Sequence, residues 1–434
     1  MPAGAASAAA PAGAAARAAD PGLPPGSLPP MLARPTPDAR PAMSTLPVVT
    51  LLPGEERRLR RGHCWAYAGE IAAAPAGLAA GDSVLLVDAR GEALGSALWN
   101  PQSQICARLF ARRPLDFATH LPQALERALD LRARLYAAPQ YRLVFGEADG
   151  LPGLTVDRFG ALLVAQLASA ASEAHAAAIA GALLALPGVT GLVLRRDAGV
   201  RRKEGLAELA PEVQGALPAE AWAEEGGLRF AIDPLGGLKG GWFWDQRESR
   251  AWLRGAARGR RVLDLFCHSG GFALQAAAGG AEAVLGLDRS EAALALARRS
   301  ALANSLGKRC RFAALDLLQS GKGQAGWPHG EWDLVVLDPP ALAKERGDAE
   351  SALGAYTHLN RKAAGRVAPG GILLTCSCTY PVEEHIWQGH VLRAVAKSGR
   401  HARVIYRGGQ GGDHPVLPGM PETRYLSVLA LQLD

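Results

Sequence analysis

Cysteine is scarce in this chain. Six stand among 434 residues, at positions 64, 106, 267, 310, 376 and 378, and no two form a C-x-x-C pair. That spacing excludes a zinc-ligand framework and a disulfide scaffold, so no metal site is expected and a reduced, cytoplasmic compartment fits best. Long apolar runs are missing as well. With no run of about eighteen uncharged apolar residues, neither a membrane span nor a membrane partner is expected. A charged n-region leading into a compact apolar h-region is absent too, so no secretory leader is expected. There is no Walker loop and no full G-x-G-x-x-G, which sets aside P-loop nucleotide hydrolysis and dinucleotide-dependent redox chemistry.

What is present suffices for more than one core. Hydrophobic residues make up 49% of the chain, and its length calls for two or three domains. Residues 1–43 are Ala/Pro/Gly-rich without periodicity. That composition cannot bury a core, so the segment reads as a disordered tail, or as the product of a start assigned upstream of Met43. The net charge of +6 suits a polyanion partner without identifying one.

Three further segments follow. Residues 44–114 show short strands and turns, with "GDSVLLVDARGEALGSALWN" alternating around a turn as a hairpin should. Here "EERRLRRGHCWAYAGEI" sets Arg57, Arg58, Arg60 and Arg61 beside Trp65 and Tyr67, and "SQICARLFARR" adds Arg108. Basic residues interleaved with aromatics suit RNA, giving phosphate contacts and stacking faces. The competing reading is a solvated arginine face beside ordinary core aromatics. Residues 115–225 read as a compact α+β module without a catalytic constellation. From 226 to 434 strands and helices alternate, and the strands are continuously apolar. That pattern means an α/β domain with a doubly wound, mostly parallel sheet.

Functional residues in such a sheet lie beyond the carboxyl ends of the strands. At those positions the sequence places Asp264 with Gly270-Gly271, then Asp288, Asp316, Asp338 of Asp-Pro-Pro, and finally Cys376 and Cys378. An acidic residue 24 positions beyond Asp264 is suited to the two hydroxyls of a ribose. Taken together, these strand ends look like the class I S-adenosylmethionine methyltransferase pattern. On a strand the two cysteines point to the same face, so alternation cannot separate them. Cys378 lies nearer the carboxyl edge.

Beyond this class pattern, the chain resembles the bacterial 23S rRNA cytosine-C5 methyltransferase family. The resemblance rests on "LLPGEERRLRRGHCWAYAGEI", "YRLVFGEADGLPGLTVDRFG", "GGWFWDQRESR", "VLDLFCHSGGF", "LDPPALAK", "LLTCSC" and "DHPVLPGMPETRYL", which occur in family order after Met43. It implies a PUA-like RNA-binding domain, a central α+β domain and a Rossmann-like catalytic domain. It implies S-adenosyl-L-methionine as cofactor and 23S rRNA or a large-subunit precursor as partner. A homodimer is compatible with the sequence, which does not encode oligomeric state.

Carried over residue by residue, the resemblance puts Phe266, Ser269, Gly270, Gly271 and Phe272 around the methionine part, with Asp264 on the sulfonium side. Asp288 would hold the ribose, Asp316 would approach the adenine, and Gln246 and Arg247 would close over the cofactor or order the loop. Arg57, Arg58, Arg60, Arg61, Trp65 and Arg108 become RNA contacts. Cys378, seventh after Gly371, becomes the nucleophile.

C5 of cytosine is a poor nucleophile until a thiolate adds at C6, which demands a thiol of lowered pKa. Asp338 would hydrogen-bond N3 or N4. Two features depart from relatives: "DPPALAK" carries no second cysteine for product release, and "TYPVEEH" after Cys378 is not a small serine-containing turn. Two rivals stand beside this expectation. One is an amino-methyltransferase, although the residue after Asp-Pro-Pro is Ala341 rather than an aromatic. The other is a non-catalytic RNA-binding assembly factor.

Overall fold

The computed structural model describes residues 46–319, 326–343 and 346–434. The tail 1–43 and Lys344 of "DPPALAK" lie outside them.

The first sheet contains β1 (Val48–Leu51), β2 (Trp65–Ala66), β3 (Ile71–Ala73), β4 (Ser83–Val87), β5 (Ala93–Trp99) and β6 (Ala107–Ala111), in the order β2-β6-β5-β4-β1-β3. The short helix α1 (Glu56–Arg60) precedes β2. The expected hairpin is β4–β5, antiparallel, with Ser83 opposite Leu98. Its turn closes because Asp88 Oδ1 accepts from the backbone N–H groups of Arg90 and Glu92. The core of this sheet includes Leu59, Leu86, Ala97 and Leu109, and also a residue from the far end of the chain, Met420.

The helix α2 (Phe117–Leu135), N-capped by Asp116, leads into a second sheet. Its strands are β7 (Gln140–Phe145), β8 (Leu154–Phe159), β9 (Leu162–Leu167), β10 (Gly191–Arg196) and β11 (Leu209–Gly215), laid side by side in reverse chain order. The stretch "SEAHAAAIAGALLAL" reads as one helix but forms two, α3 (Ala170–Ala174) and α4 (Ala176–Leu184). The break falls at His175, whose ring Nε2 lies 2.9 Å from the Gly81 carbonyl of the first sheet. That tertiary contact overrides local propensity.

A hairpin, β12 (Ala221–Glu225) with β13 (Leu228–Ile232), has its Gly226-Gly227 turn at the boundary expected between residues 225 and 226. Its residues Ala223 and Phe230 are buried in the same core as α5 (Arg247–Ala256) and α6 (Gly271–Ala278).

The last sheet comprises β14 (Arg261–Leu265), β15 (Ala283–Asp288), β16 (Cys310–Ala314), β17 (Trp332–Leu337), β18 (Val367–Ser377), β19 (Ala402–Gly408) and β20 (Ser427–Leu433). Their order is β16-β15-β14-β17-β18-β20-β19, the first five parallel, with β20 antiparallel between β18 and β19. The helices are α7 (Glu291–Ala303), α8 (Ala349–Ala364) and α9 (Glu384–Ala396), in addition to α6. Both faces of the sheet are covered, which is why strands such as "DLVVL" read as unbroken apolar runs. The chain reverses its direction of growth between β14 and β17, so a crevice opens at their carboxyl ends.

The Pro-Gly-Gly expected to end α8 lies instead inside β18. The helix stops at Gly365, and Val367 already pairs with Trp332 ahead of an irregularity in register. A β-branched residue two positions before a proline favours extended backbone, so the strand begins early. Among the described residues no helix is long and apolar enough to cross a membrane.

Candidate active site

A cavity of about 620 Å³ occupies the crevice. Its floor is the loop after β14. Phe266 and His268 there adopt left-handed backbone, with φ of 64° and 47°. Such geometry costs energy and persists only where surroundings enforce it. Asp288 supplies part of that enforcement, since its Oδ2 accepts from the His268 N–H at 2.9 Å while Oδ1 accepts from Ser290 N–H at 2.8 Å. Phe266, Ser269, Gly271, Phe272, Asp288 and Asp316 all line the cavity. Asp316 also turns its own loop by accepting from the backbone of Leu318 and Gln319.

Three of the residues expected here are not on the wall. Gly270 sits behind it, with φ of 80°. A β-carbon there would stand 3.1 Å from Ala297 and 3.2 Å from Phe312, so glycine serves the turn. Asp264 is 1% exposed beneath the loop, where Oδ2 accepts from the Ala273 N–H in the first turn of α6. Its Oδ1 has no partner among the described residues. Burial, reinforced by the charges of Asp338 and Asp288, raises its pKa well above the ordinary carboxyl value.

Arg247 points away altogether. Its guanidinium lies over the rings of Tyr136 and Trp244 and donates to the Gln140 carbonyl, in a separate hollow. Adjacent residues entering a helix face different directions, so Gln246 and Arg247 could not both turn to the cavity. Gln246 is the one that does, donating from Nε2 to Asp338 Oδ2 at 3.1 Å.

Asp338 and Cys378 both open onto the same space. Burial and then the charge of Asp245 push the Asp338 carboxyl up to about 7, against the pull of Lys239, Arg250 and the Gln246 hydrogen bond. Cys376 is fully buried in the core of β18, whereas Cys378 follows the strand end and is half-buried. Both thiols lie on the side of the sheet packed by α5 and α6. Depth separates them.

The thiol of lowered pKa expected at Cys378 is not what the surroundings produce. Burial pushes it up to about 11, with Lys239 opposing and Asp338 and Asp245 adding to the rise. The unusual turn after it has a defined job. Thr379 Oγ1 accepts from the Leu342 N–H at 3.0 Å and shares a 2.7 Å hydrogen bond with the Tyr356 hydroxyl. Tyr356 also accepts from Ser377 Oγ at 3.0 Å, so the Cys378 turn is tied to the Asp-Pro-Pro loop.

Several participants carried no sequence signal. Asp245, paired with Lys239, meets Tyr425 from 180 residues away, and Thr379 meets Leu342 and Tyr356. The Leu-Lys-Gly-Gly run before "WFWDQR" was the one local hint, a lysine among glycines.

The arginine stretch behaves differently from its expected role. Arg108 is 9% exposed and pairs with Glu147 at 2.9 Å and Glu204 at 2.8 Å, while Trp65 Nε1 donates to Glu147 at 2.8 Å. Both therefore join the first two sheets, and the Arg108 guanidinium is not free for RNA. Arg58 pairs with Glu70 and lies over Tyr67, and Arg60 pairs with Asp88 and Glu92. Arg57 and Arg61 are exposed, with no ion pair among the described residues.

Comparison with known proteins adds to this geometry. Residues 49–112 match the PUA-like domain family, and residues 196–399 match the S-adenosylmethionine-dependent methyltransferase family. The chain is 36% identical over 393 residues to ribosomal RNA large subunit methyltransferase I of Cronobacter sakazakii, covering 88% of this chain and 98% of that protein. The Salmonella gallinarum protein of the same name is 35% identical over 395 residues, covering 89% and 98%. A solved structure assigned as a SAM-dependent methyltransferase from Streptococcus mutans superposes with a TM-score of 0.73 at 19% identity, covering 89% of this chain and 99% of that one. Another with the same TM-score, at 20% identity, holds SAH.

Proposed function

Because the chain belongs to the ribosomal RNA large subunit methyltransferase I family and uses S-adenosylmethionine, we propose that it methylates C5 of a cytosine in 23S rRNA through a covalent bond between Cys378 and C6. The observation that carries this reading is that Cys378 and Asp338 line the same cavity as Phe266, Ser269, Gly271, Phe272, Asp288 and Asp316. Those residues suit the cofactor. The cavity is large enough, the Asp288 and Asp338 carboxyls line it, and a sulfonium beside them would favour ionisation of the buried Asp264 carboxyl, whose Oδ1 has no partner among the described residues. Phe266, Ser269, Gly271 and Phe272 would surround the methionine part, Asp288 would take the ribose hydroxyls, and Asp316 would approach the adenine. When bound, the cofactor supplies an electrophilic methyl group.

The chain's own residues then have distinct tasks. Cys378 loses its proton to water, and Sγ bonds to C6. Asp338, about half protonated near neutral pH, donates a proton to N3 as the ring becomes enamine-like. C5 takes the methyl group and loses its proton to water or another group, no second cysteine standing at Ala341–Ala343. Sγ leaves, the ring is restored, and N3 returns its proton to Asp338. The Thr379–Tyr356 clamp keeps the thiol and carboxyl in register throughout. On the first sheet, exposed Arg57 and Arg61 are the cations available for rRNA phosphates.

RNA containing 5-fluorocytosine blocks proton loss from C5 and should trap a covalent complex on Cys378, seen as a mass shift on its peptide. Cys378→Ala should abolish both the complex and turnover. Turnover surviving in Cys378→Ala would transfer the chain to the exocyclic amino-methyltransferases.

A further inference from the structure

We propose that Lys239 is the cation that moves the Cys378 thiol toward its reactive thiolate, with Asp245 and Tyr425 holding it in place for that purpose. This assignment rests on the reading of Cys378 as nucleophile and adds the group that activates it.

The backbone is built to deliver this side chain. Lys239, Gly240 and Gly241 are successive left-handed residues, with φ of 44°, 67° and 105°. A β-carbon at Gly240 would fall 2.6 Å from Asp157 Oδ2, and one at Gly237 would fall 2.4 Å from the Asp233 carbonyl. Glycine is therefore required around the lysine, while the lysine itself bears a strained conformation that a glycine would adopt freely.

The head group has an equally specific seat. Nζ is 2.6 Å from Asp245 Oδ2, the same oxygen that accepts from the Tyr425 hydroxyl at 2.5 Å. It also lies 5.0 Å from the centre of the Phe243 ring and 5.1 Å from that of Tyr425. Asp245 is buried, but the Lys239 side chain is 37% exposed and opens onto the cavity shared by Cys378 and Asp338.

Lys239, Asp245 and Asp338 line the same cavity as Cys378, and the charge of Lys239 opposes that of the two carboxylates at the thiol, while Tyr356, Tyr425 and Cys376 also interact with it electrostatically. Other cations nearby are committed elsewhere, Arg250 to Glu225 and Arg142 to Asp157. Desolvation lowers the Lys239 pKa, but the Asp245 charge outweighs it and holds the ammonium above its ordinary value. A protonated lysine cannot accept the C5 proton, so its contribution is charge. The step it assists is loss of the S–H proton to water, with the sulfur retaining the electron pair.

The test measures thiol reactivity without RNA. Alkylation of Cys378 by iodoacetamide is followed against pH by peptide mass spectrometry in the full chain, for wild type, Lys239→Met, Lys239→Gln and Lys239→Arg. Either neutral variant should alkylate Cys378 about tenfold more slowly at a given pH, corresponding to a rise of about one pKa unit, and Lys239→Arg should keep most of the wild-type rate. S-adenosylmethionine affinity by calorimetry should stay within about twofold in whichever neutral variant folds, since the charge acts on the thiol. An unchanged pH profile in the neutral variants overturns the proposal, as does a loss of cofactor affinity that accounts for any slowing. Failure of the 5-fluorocytosine trap in wild type would strike the C5 reading instead, while the alkylation profile would still decide separately for or against Lys239.

Discussion

Two acidic clusters in this protein, each with a buried member, are treated in opposite ways. Where the first sheet meets the second, Glu147 and Glu204 flank Arg108, and Glu204 also accepts from Asn100 and Ser103. Each carboxylate there touches the guanidinium, and neutral donors (Trp65, Asn100 and Ser103) take up further hydrogen bonds. At the cavity, Asp264, Asp288 and Asp338 approach one another from the ends of β14, β15 and β17, and none has a lysine or arginine within ion-pair distance among the described residues. One oxygen of Asp264 has no partner at all among those residues. A cluster whose carboxylates share a buried cation ties the two sheets together. A cluster left short of positive charge keeps a place for a cation that arrives from outside.

The comparison can be broken most forcefully at the joint. Arg108→Met should cost about 3–5 kcal/mol in urea unfolding, because it strands two buried carboxylates. A cost below about 1 kcal/mol would show that the joint is not held by charge. The same operation at the cavity should have the reverse sign for the empty protein. Asp264→Asn should stabilise it by about 1 kcal/mol at pH 8 while weakening S-adenosylmethionine binding about tenfold, because asparagine cannot ionise in response to the sulfonium.

The pH dependence sharpens the same contrast. The Asp338 carboxyl ionises near 3.8 in the unfolded chain and at about 7 in the folded one, so the folded state holds more protons between those values. Stability should therefore fall as pH rises from about 4 to about 7, and Asp338→Asn should flatten that slope in urea titrations. Saturating S-adenosylmethionine should release protons near pH 7, read calorimetrically in buffers of different ionisation enthalpy. The smallest effect belongs to the solvated face. Arg57→Ala with Arg61→Ala should change stability by about 0.5 kcal/mol or less, and each should lower the salt slope of RNA binding by about one.

Much of the cavity was legible because a parallel sheet places strand ends together irrespective of their separation in the chain. Asp288, Asp316, Asp338 and Cys378 could be located that way. What escaped is what depends on direction and pairing. Arg247 sits beside Gln246 in sequence, but a helix start sends it to Tyr136 and Trp244. Arg108 looks like its fellow arginines until Glu147 and Glu204, 39 and 96 residues away, are brought against it. Tyr425 reaches Asp245 across 180 residues. Composition carries no trace of such meetings. The lowered thiol pKa expected at Cys378 failed for a related reason, since burial is a property of the assembled site.

Met420 has one further consequence. It is buried in the core of the first sheet, while Glu422 lies 3.4 Å from His63 and Gly419 packs against Gly62. A ribosome releases β1 to β6 long before it reaches that methionine. That domain must therefore wait, its core unplugged, until about 300 residues beyond β6 have been translated. Its final closure and the arrival of Tyr425 beside Asp245 depend on the same late segment of chain. Nascent chains truncated before residue 420 should accordingly be easier for proteases to cut within the first domain than the finished protein.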